Sequence, residues 1–170
     1  LHKLKGSRFI IDDKSCSVYF EDIIRSKFKI VKRVDPTYFL KSIKNKTEIN
    51  NMVNTHILDG AALTKFIYWI KNINKKQINE VQAQKKLESF RKLNKNYLYP
   101  SFDTIAGSGK NGAIVHYRAN KKDAKTIEKK DIFLCDSGGQ YRYGTTDVTR
   151  TICFSKPKKN IKNIFTKVLK

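Results

Sequence analysis

Two carboxylates, Asp136 and Asp147, stand eleven positions apart on either side of the glycine-rich stretch Ser137-Gly138-Gly139-Gln140-Tyr141-Arg142-Tyr143-Gly144. Carboxylates brought to one place can pair as general acid and base, or can hold a divalent cation. Acid and base roles need environments that push two pKa values apart, and nothing in the neighbouring sequence separates these two. Hard oxygen ligands suit Mg, Mn or Ca, and two metals about 3.5–4 Å apart need several of them. Spacing alone leaves a third reading open, in which both Asp residues cap turns of a solvated hairpin. His116, the other residue with chemical capacity, follows Asn111-Gly112-Ala113-Ile114-Val115. A lone histidine at a strand end is more often structural or exposed than catalytic.

The elements that must position these groups are legible as periodicities. Asp131-Ile132-Phe133-Leu134-Cys135 is short, apolar and rich in strand formers, so it reads as a buried strand delivering Asp136 at its end. Gly138, Gly139 and Gly144 are expected to supply the positive backbone angles of a tight reversal. From Thr145 to Phe154 the β-branched residues alternate, which puts Asp147, Thr149 and Thr151 on one face and Val148, Arg150 and Ile152 on the other. The two carboxylates can then face each other across a hairpin. Upstream, residues 101–105 and 111–117 read as short strands joined by a flexible Ala106-Gly107-Ser108-Gly109-Lys110 connection. That connection has the look of a phosphate loop, but no Lys-Ser or Lys-Thr pair follows it.

The hairpin segment resembles the metal-binding hairpin of the aminopeptidase P, or Xaa-Pro aminopeptidase, branch of the pita-bread metallopeptidases, D-S-G-x-Q-Y-x-D-G-T-T-D-V-T-R-T. Every fixed position matches except Tyr143, which stands where the family has Asp in the turn. Asn111-Gly112-Ala113-Ile114-Val115-His116-Tyr117 is similar to the family's N-G-A-I-I-H-Y stretch. The resemblance implies that Asp136 and Asp147 are the first two ligands of a dinuclear, commonly manganese-loaded site. It further implies that His116 lines the substrate pocket and assists proton transfer. The implied substrates are peptides with proline at the second position, and full-length relatives are often homodimers. The family's other ligands, one histidine and two glutamates, lie downstream, and His2, His56 and His116 do not sit in matching contexts. The chain is therefore expected to hold about half of an active site and to be inactive alone. The alternative is a non-catalytic pita-bread relative that binds nucleic acid or acidic proteins.

The implied fold class is α+β: the first half of a pita-bread domain, preceded by the tail of an α/β domain. Residues 1–36 supply that tail, with strand-like Arg8-Phe9-Ile10-Ile11, a short helix around residues 18–24 and strand-like Phe28-Lys29-Ile30-Val31. Residues 37–170 supply the metallopeptidase half, the boundary falling near Asp35-Pro36 because proline breaks regular structure. Within it, Ile49, Met52, Val53, His56, Gly60, Ala61, Thr64, Ile67 and Ile70 recur at helical spacing. They predict a long helix starting near Thr47 with His56 packed on its apolar stripe. A second helix is predicted over residues 79–93, with capping-box spacing at Asn79 and Gln82 and with Ala83, Leu87 and Phe90 on one face. Ile161, Ile164, Phe165, Val168 and Leu169 predict an amphipathic helix at the end of the chain, and both termini read as cuts through a longer protein.

Hydrophobic residues make up 39% of the chain, enough for a core, while the formal net charge of +21 invites a nucleic-acid reading. The lysines, however, are scattered in short pairs such as Lys75-Lys76, Lys85-Lys86, Lys121-Lys122, Lys129-Lys130 and Lys158-Lys159, without the interleaved aromatics of a stacking platform. Nucleic acid is not an expected partner. Cys16, Cys135 and Cys153 have no paired spacing, which argues for reduced thiols in a cytoplasmic setting. No stretch approaches the roughly 20 apolar residues of a membrane span, so no membrane partner is expected.

Overall fold

The computed structural model describes residues 3–73 and 77–170, so the readings on His2, Lys75 and Lys76 lie outside the described residues. The chain folds as two compact units, the first running up to Lys46 and the second spanning Thr47–Lys170.

The first unit is a βαβ motif. β1 (Arg8–Ile11) and β2 (Lys29–Lys32) pair in parallel with Arg8 opposite Lys29. Parallel neighbours need a crossover, here α1 (Val18–Arg25), whose N-cap Ser17 accepts from the Phe20 N–H. Ile11, Ile24 and Phe28 form a small core. Residues 33–35 are irregular and separate β2 from the next helix. Asp35 caps α2 (Pro36–Ser42) by accepting from the Thr37 N–H, and Pro36 fills the first turn, where a missing N–H is harmless.

The second unit begins with α3 (Lys46–Lys71) and α4 (Glu80–Arg91). Asn79 and Gln82 form the expected capping box at the start of α4, each side chain accepting from the other's backbone N–H. Two three-stranded antiparallel sheets follow. One has the order β3 (Tyr97–Pro100), β6 (Gly139–Tyr141), β7 (Gly144–Thr145); the other has β4 (Ile105–Ser108), β5 (Ile132–Ser137), β8 (Val148–Cys153). Leu63, Phe66 and Ile70 of α3, Ala83 and Leu87 of α4, and Ala106, Phe133, Cys135 and Ile152 of the second sheet share one core. The last helix, α5 (Lys159–Leu169), leaves Ile164, Phe165, Val168 and Leu169 exposed.

Two expectations are corrected here. The buried face of α3 is Thr55, Asp59, Ala62, Leu63, Phe66 and Ile70, whereas Ile49, Met52, Val53 and His56 are exposed. His56 is thus not packed; its Nδ1 lies 2.9 Å from the Met52 carbonyl oxygen at the surface. The apolar periodicity missed the phase because the buried stripe includes a charged residue, Asp59. Residues 106–108 of the supposed flexible connection, in turn, belong to β4, and Gly109 and Lys110 to the 3₁₀ turn that follows. Ala106, Gly107 and Ser108 are buried and pair with Cys135, Leu134 and Phe133. A Cβ on Gly107 would lie 2.7 Å from the backbone of Gly112, so this glycine serves close packing. Residues 101–104 and 111–117 are bends, a 3₁₀ turn (Gly109–Ala113) and a loop in place of the predicted strand pair, the strand residue Ile105 aside.

Candidate metal centre

β5 delivers Asp136 and the approach to β8 carries Asp147. In the antiparallel register Asp136 lies opposite Thr149 and Ser137 opposite Val148. Phe133, Cys135 and Ser137 turn into the core, which leaves Asp136 on the other face of the sheet. Thr146 is buried and Val148 packs against the core, so alternation puts Asp147 with Thr149 on the face that carries Asp136. Asp147 is exposed, and Asp136 is half-buried with its Oδ1 shut away from solvent and without a hydrogen-bond partner among the described residues. A buried unpaired acceptor costs about 1–3 kcal/mol, more when charged. An orphaned carboxylate oxygen beside a second carboxylate fits a divalent cation, which would satisfy it directly. The described residues contain no cluster of three or more His, Cys, Asp or Glu, so these two carboxylates are what they offer.

Between the two aspartates the chain does more than reverse. It leaves the second sheet, forms β6 and β7 in the first, and returns. Gly138, Gly139 and Gly144 do not adopt positive φ; among the described residues the glycines that do are Gly6 and Gly109. Their role is room. A Cβ on Gly138 would sit 1.9 Å from the Thr146 carbonyl oxygen and 2.2 Å from Ser101 Oγ. Gly138→Ala therefore forces apart the two segments flanking Asp136 and Asp147. Overpacking of this kind costs about 1–3 kcal/mol or more, to be read from the denaturant midpoint. A loss below about 0.5 kcal/mol would show that the close approach is not a constraint.

Beneath the carboxylates lies a buried ionic network that the sequence reading passed over. Asp59 of α3 and Arg91 of α4 are 0% and 2% exposed. Arg91 Nε donates to Asp59 Oδ1 at 2.7 Å and Nη2 to Oδ2 at 3.1 Å. Tyr141 Oη and Thr146 Oγ1 donate to the same carboxylate at 2.7 and 2.9 Å. Burial raises the Asp59 pKa, but these hydrogen bonds outweigh it and hold the carboxyl below its ordinary value. A second buried carboxylate, Glu80, accepts from the Ser108 N–H at 2.8 Å, Asn111 Nδ2 at 3.0 Å, the Lys125 N–H at 2.9 Å and Tyr117 Oη at 2.8 Å. Burial and this carboxylate push the Tyr117 phenol up to about 12. Asp131, just before β5, accepts from Ser108 Oγ at 2.7 Å and pairs with Lys125 Nζ at 2.8 Å. A sequence signal existed for the first network. Asp59 and Arg91 are opposite charges, each on the buried stripe of its own helix, four positions from Leu63 and Leu87 respectively.

His116 is on the loop that Glu80 secures through its neighbour Tyr117. It is exposed and takes φ 54°, the left-handed region, instead of ending a strand. Cys135 is buried and its thiol is pushed up to about 11 by burial, whereas Cys153 is half-buried. No described helix is long and apolar enough to cross a membrane.

Comparison with known proteins agrees with this reading of the fold. Residues 50–170 match the profile of metallopeptidase family M24. A probable Xaa-Pro aminopeptidase P of Paracoccidioides brasiliensis is 50% identical over 133 residues, 76% of this chain and 22% of that protein. The Xaa-Pro aminopeptidase ApepP of Drosophila melanogaster is 42% identical over 156 residues, 91% of this chain and 25% of that protein. The chain thus spans a quarter or less of these relatives. Among solved structures, the X-prolyl aminopeptidase of Caenorhabditis elegans, described as a cytosolic enzyme with a di-nuclear active site, superposes with a TM-score of 0.71 at 32% identity. That match covers 79% of this chain and 22% of that one. The prolidase of Pyrococcus horikoshii superposes with a TM-score of 0.77 at 28% identity, over 96% of this chain and 45% of that one. The mixed helix and sheet architecture matches that of pita-bread M24 structures, of which this chain covers part.

Proposed function

We propose that this chain, which belongs to metallopeptidase family M24, carries part of the active site of an aminopeptidase that hydrolyses the bond between an N-terminal residue and proline. The buried, partnerless Oδ1 of Asp136, on the sheet face shared with Asp147, is the observation that carries the reading. Asp136 and Asp147 would hold two divalent cations, most simply manganese, together with ligands beyond those described. When bound, such metals supply a hydroxide at neutral pH by lowering the pKa of water. The chain's own residues aim the two carboxylates and shield one oxygen of Asp136. His116, with its ring exposed, would hydrogen bond to the peptide and carry a proton during cleavage. Its left-handed φ supports that role, because non-glycine residues held there cost about 1–3 kcal/mol and cluster at functional sites. The curated relatives are Xaa-Pro aminopeptidases, and the likeness to a cytosolic enzyme favours a cytoplasmic location. A homodimer of the whole protein belongs to the same proposal.

The test is hydrolysis of an Xaa-Pro peptide and its Xaa-Ala counterpart by the manganese-loaded full-length protein, before and after chelation. Cleavage of the first alone, abolished by chelator, is the expected result; cleavage indifferent to chelation sinks the proposal. In the same assay His116→Ala lowers turnover by about 10²–10⁴-fold at unchanged metal content. Loss of metal in that variant would assign His116 to the metal instead.

A binding-module reading has less support. A surface that merely bound acidic partners would gain nothing from a desolvated carboxylate.

A further inference from the structure

We infer that the buried Asp59–Arg91 pair is a positioning device for the metal ligands, gripping the hairpin at the residues beside both of them. The inference rests on the assignment of Asp136 and Asp147 as ligands and adds what aims them. Arg91 Nη2 donates to Ser137 Oγ at 3.1 Å and Nη1 to the Gly138 carbonyl oxygen at 3.3 Å, the two residues that follow Asp136. Thr146, which precedes Asp147, donates its hydroxyl to Asp59 Oδ2 at 2.9 Å and accepts from the Gly139 N–H at 2.9 Å. Ser101 ties the same two points from the other side, its Oγ donating to the Thr146 carbonyl oxygen at 2.8 Å and its N–H to that of Gly138 at 3.2 Å.

Neither ligand is held through its own oxygens. Asp136 Oδ1 has no partner and Asp147 is exposed. Their directions must therefore come from the backbone. On an extended chain successive side chains point to opposite faces, so fixing Ser137 and Thr146 inward fixes Asp136 and Asp147 outward. The fastening is rigid because a guanidinium fork and a carboxylate meet in a bidentate pair, and because Asp59, Ser137 and Thr146 are 0%, 0% and 1% exposed. An ion pair whose role was only to join α3 to α4 would not direct its remaining donors to the two residues after Asp136, nor a lone pair to the one before Asp147. Asp59, Arg91, Ser137 and Thr146 are thus positioning residues for the metal pair.

Thr146 gives the sharpest test, since valine removes the hydroxyl at nearly constant shape and serine keeps it. In the full-length protein, calorimetric titration with manganese is expected to show about 10-fold weaker binding for Thr146→Val, with an altered electron paramagnetic resonance spectrum of the bound metal. Thr146→Ser should return both to wild type. If Thr146→Val fails to fold, Ser137→Ala carries the same comparison. Wild-type affinity and spectrum in the valine variant, or equal impairment in serine and valine, would overturn the positioning role alone. A wild-type protein that binds no manganese would overturn the ligand assignment and this inference with it.

Discussion

Asp136→Asn is expected to leave the metal-free protein as stable as wild type or more so, while abolishing manganese uptake and peptide hydrolysis. The reason is the state of Asp136 Oδ1, which is buried without a donor to pair with it. Burying a neutral amide costs less than burying an unpaired carboxylate, so the substitution relieves an unfavourable term and keeps the shape. The proposed metal site would lose a hard anionic ligand, and with it several kcal/mol of transition-state stabilisation, a fall in turnover of about a thousandfold or more. Denaturant unfolding of the chelated protein, metal content and hydrolysis check the two halves separately. Destabilisation of the metal-free variant beyond about 1 kcal/mol would mark Asp136 as a structural residue.

Arg91→Ala has the largest expected effect on stability. Removing one member of a buried pair strands the other, and Asp59 would be left buried with only the Tyr141 and Thr146 hydroxyls as partners. Such losses amount to about 3–5 kcal/mol, which for a domain of this size lowers the thermal midpoint by roughly 10 °C or more. The double variant Arg91→Met with Asp59→Leu should recover only part of that stability, because it removes the stranded charge but leaves the buried Tyr141 and Thr146 hydroxyls without their acceptor. A single variant within about 1 kcal/mol of wild type would mean that water or a rearranged side chain compensates Asp59.

Local signals were readable without coordinates. The Asn79–Gln82 capping box, the strand ahead of Asp136, the alternation that groups Asp147 with Thr149 and Thr151, and the βαβ order of the first unit all depend on neighbours within a few positions. Each is governed by backbone geometry and side-chain periodicity. The motif around Asp136 and Asp147 likewise marks the family, since carboxylates at fixed spacing are a property of the chain itself.

Tertiary structure decided what those signals serve. Gly138 reads as a turn residue, yet it is demanded by a carbonyl oxygen that approaches from Thr146, eight positions along the chain. Residues 106–108 read as a flexible link, yet they form a buried strand because β5 supplies its partner and Gly107 lets the Gly112 backbone pass close by. The face that α3 buries was misjudged from its own periodicity, because the residue that makes Asp59 tolerable inside is Arg91, 32 positions away. Burial of a charge is favourable only where its counter-charge arrives. The sequence by itself therefore determined the candidate ligand types and the elements that bear them. Only the fold decided which backbone atoms meet, and so which way Asp136 and Asp147 are held.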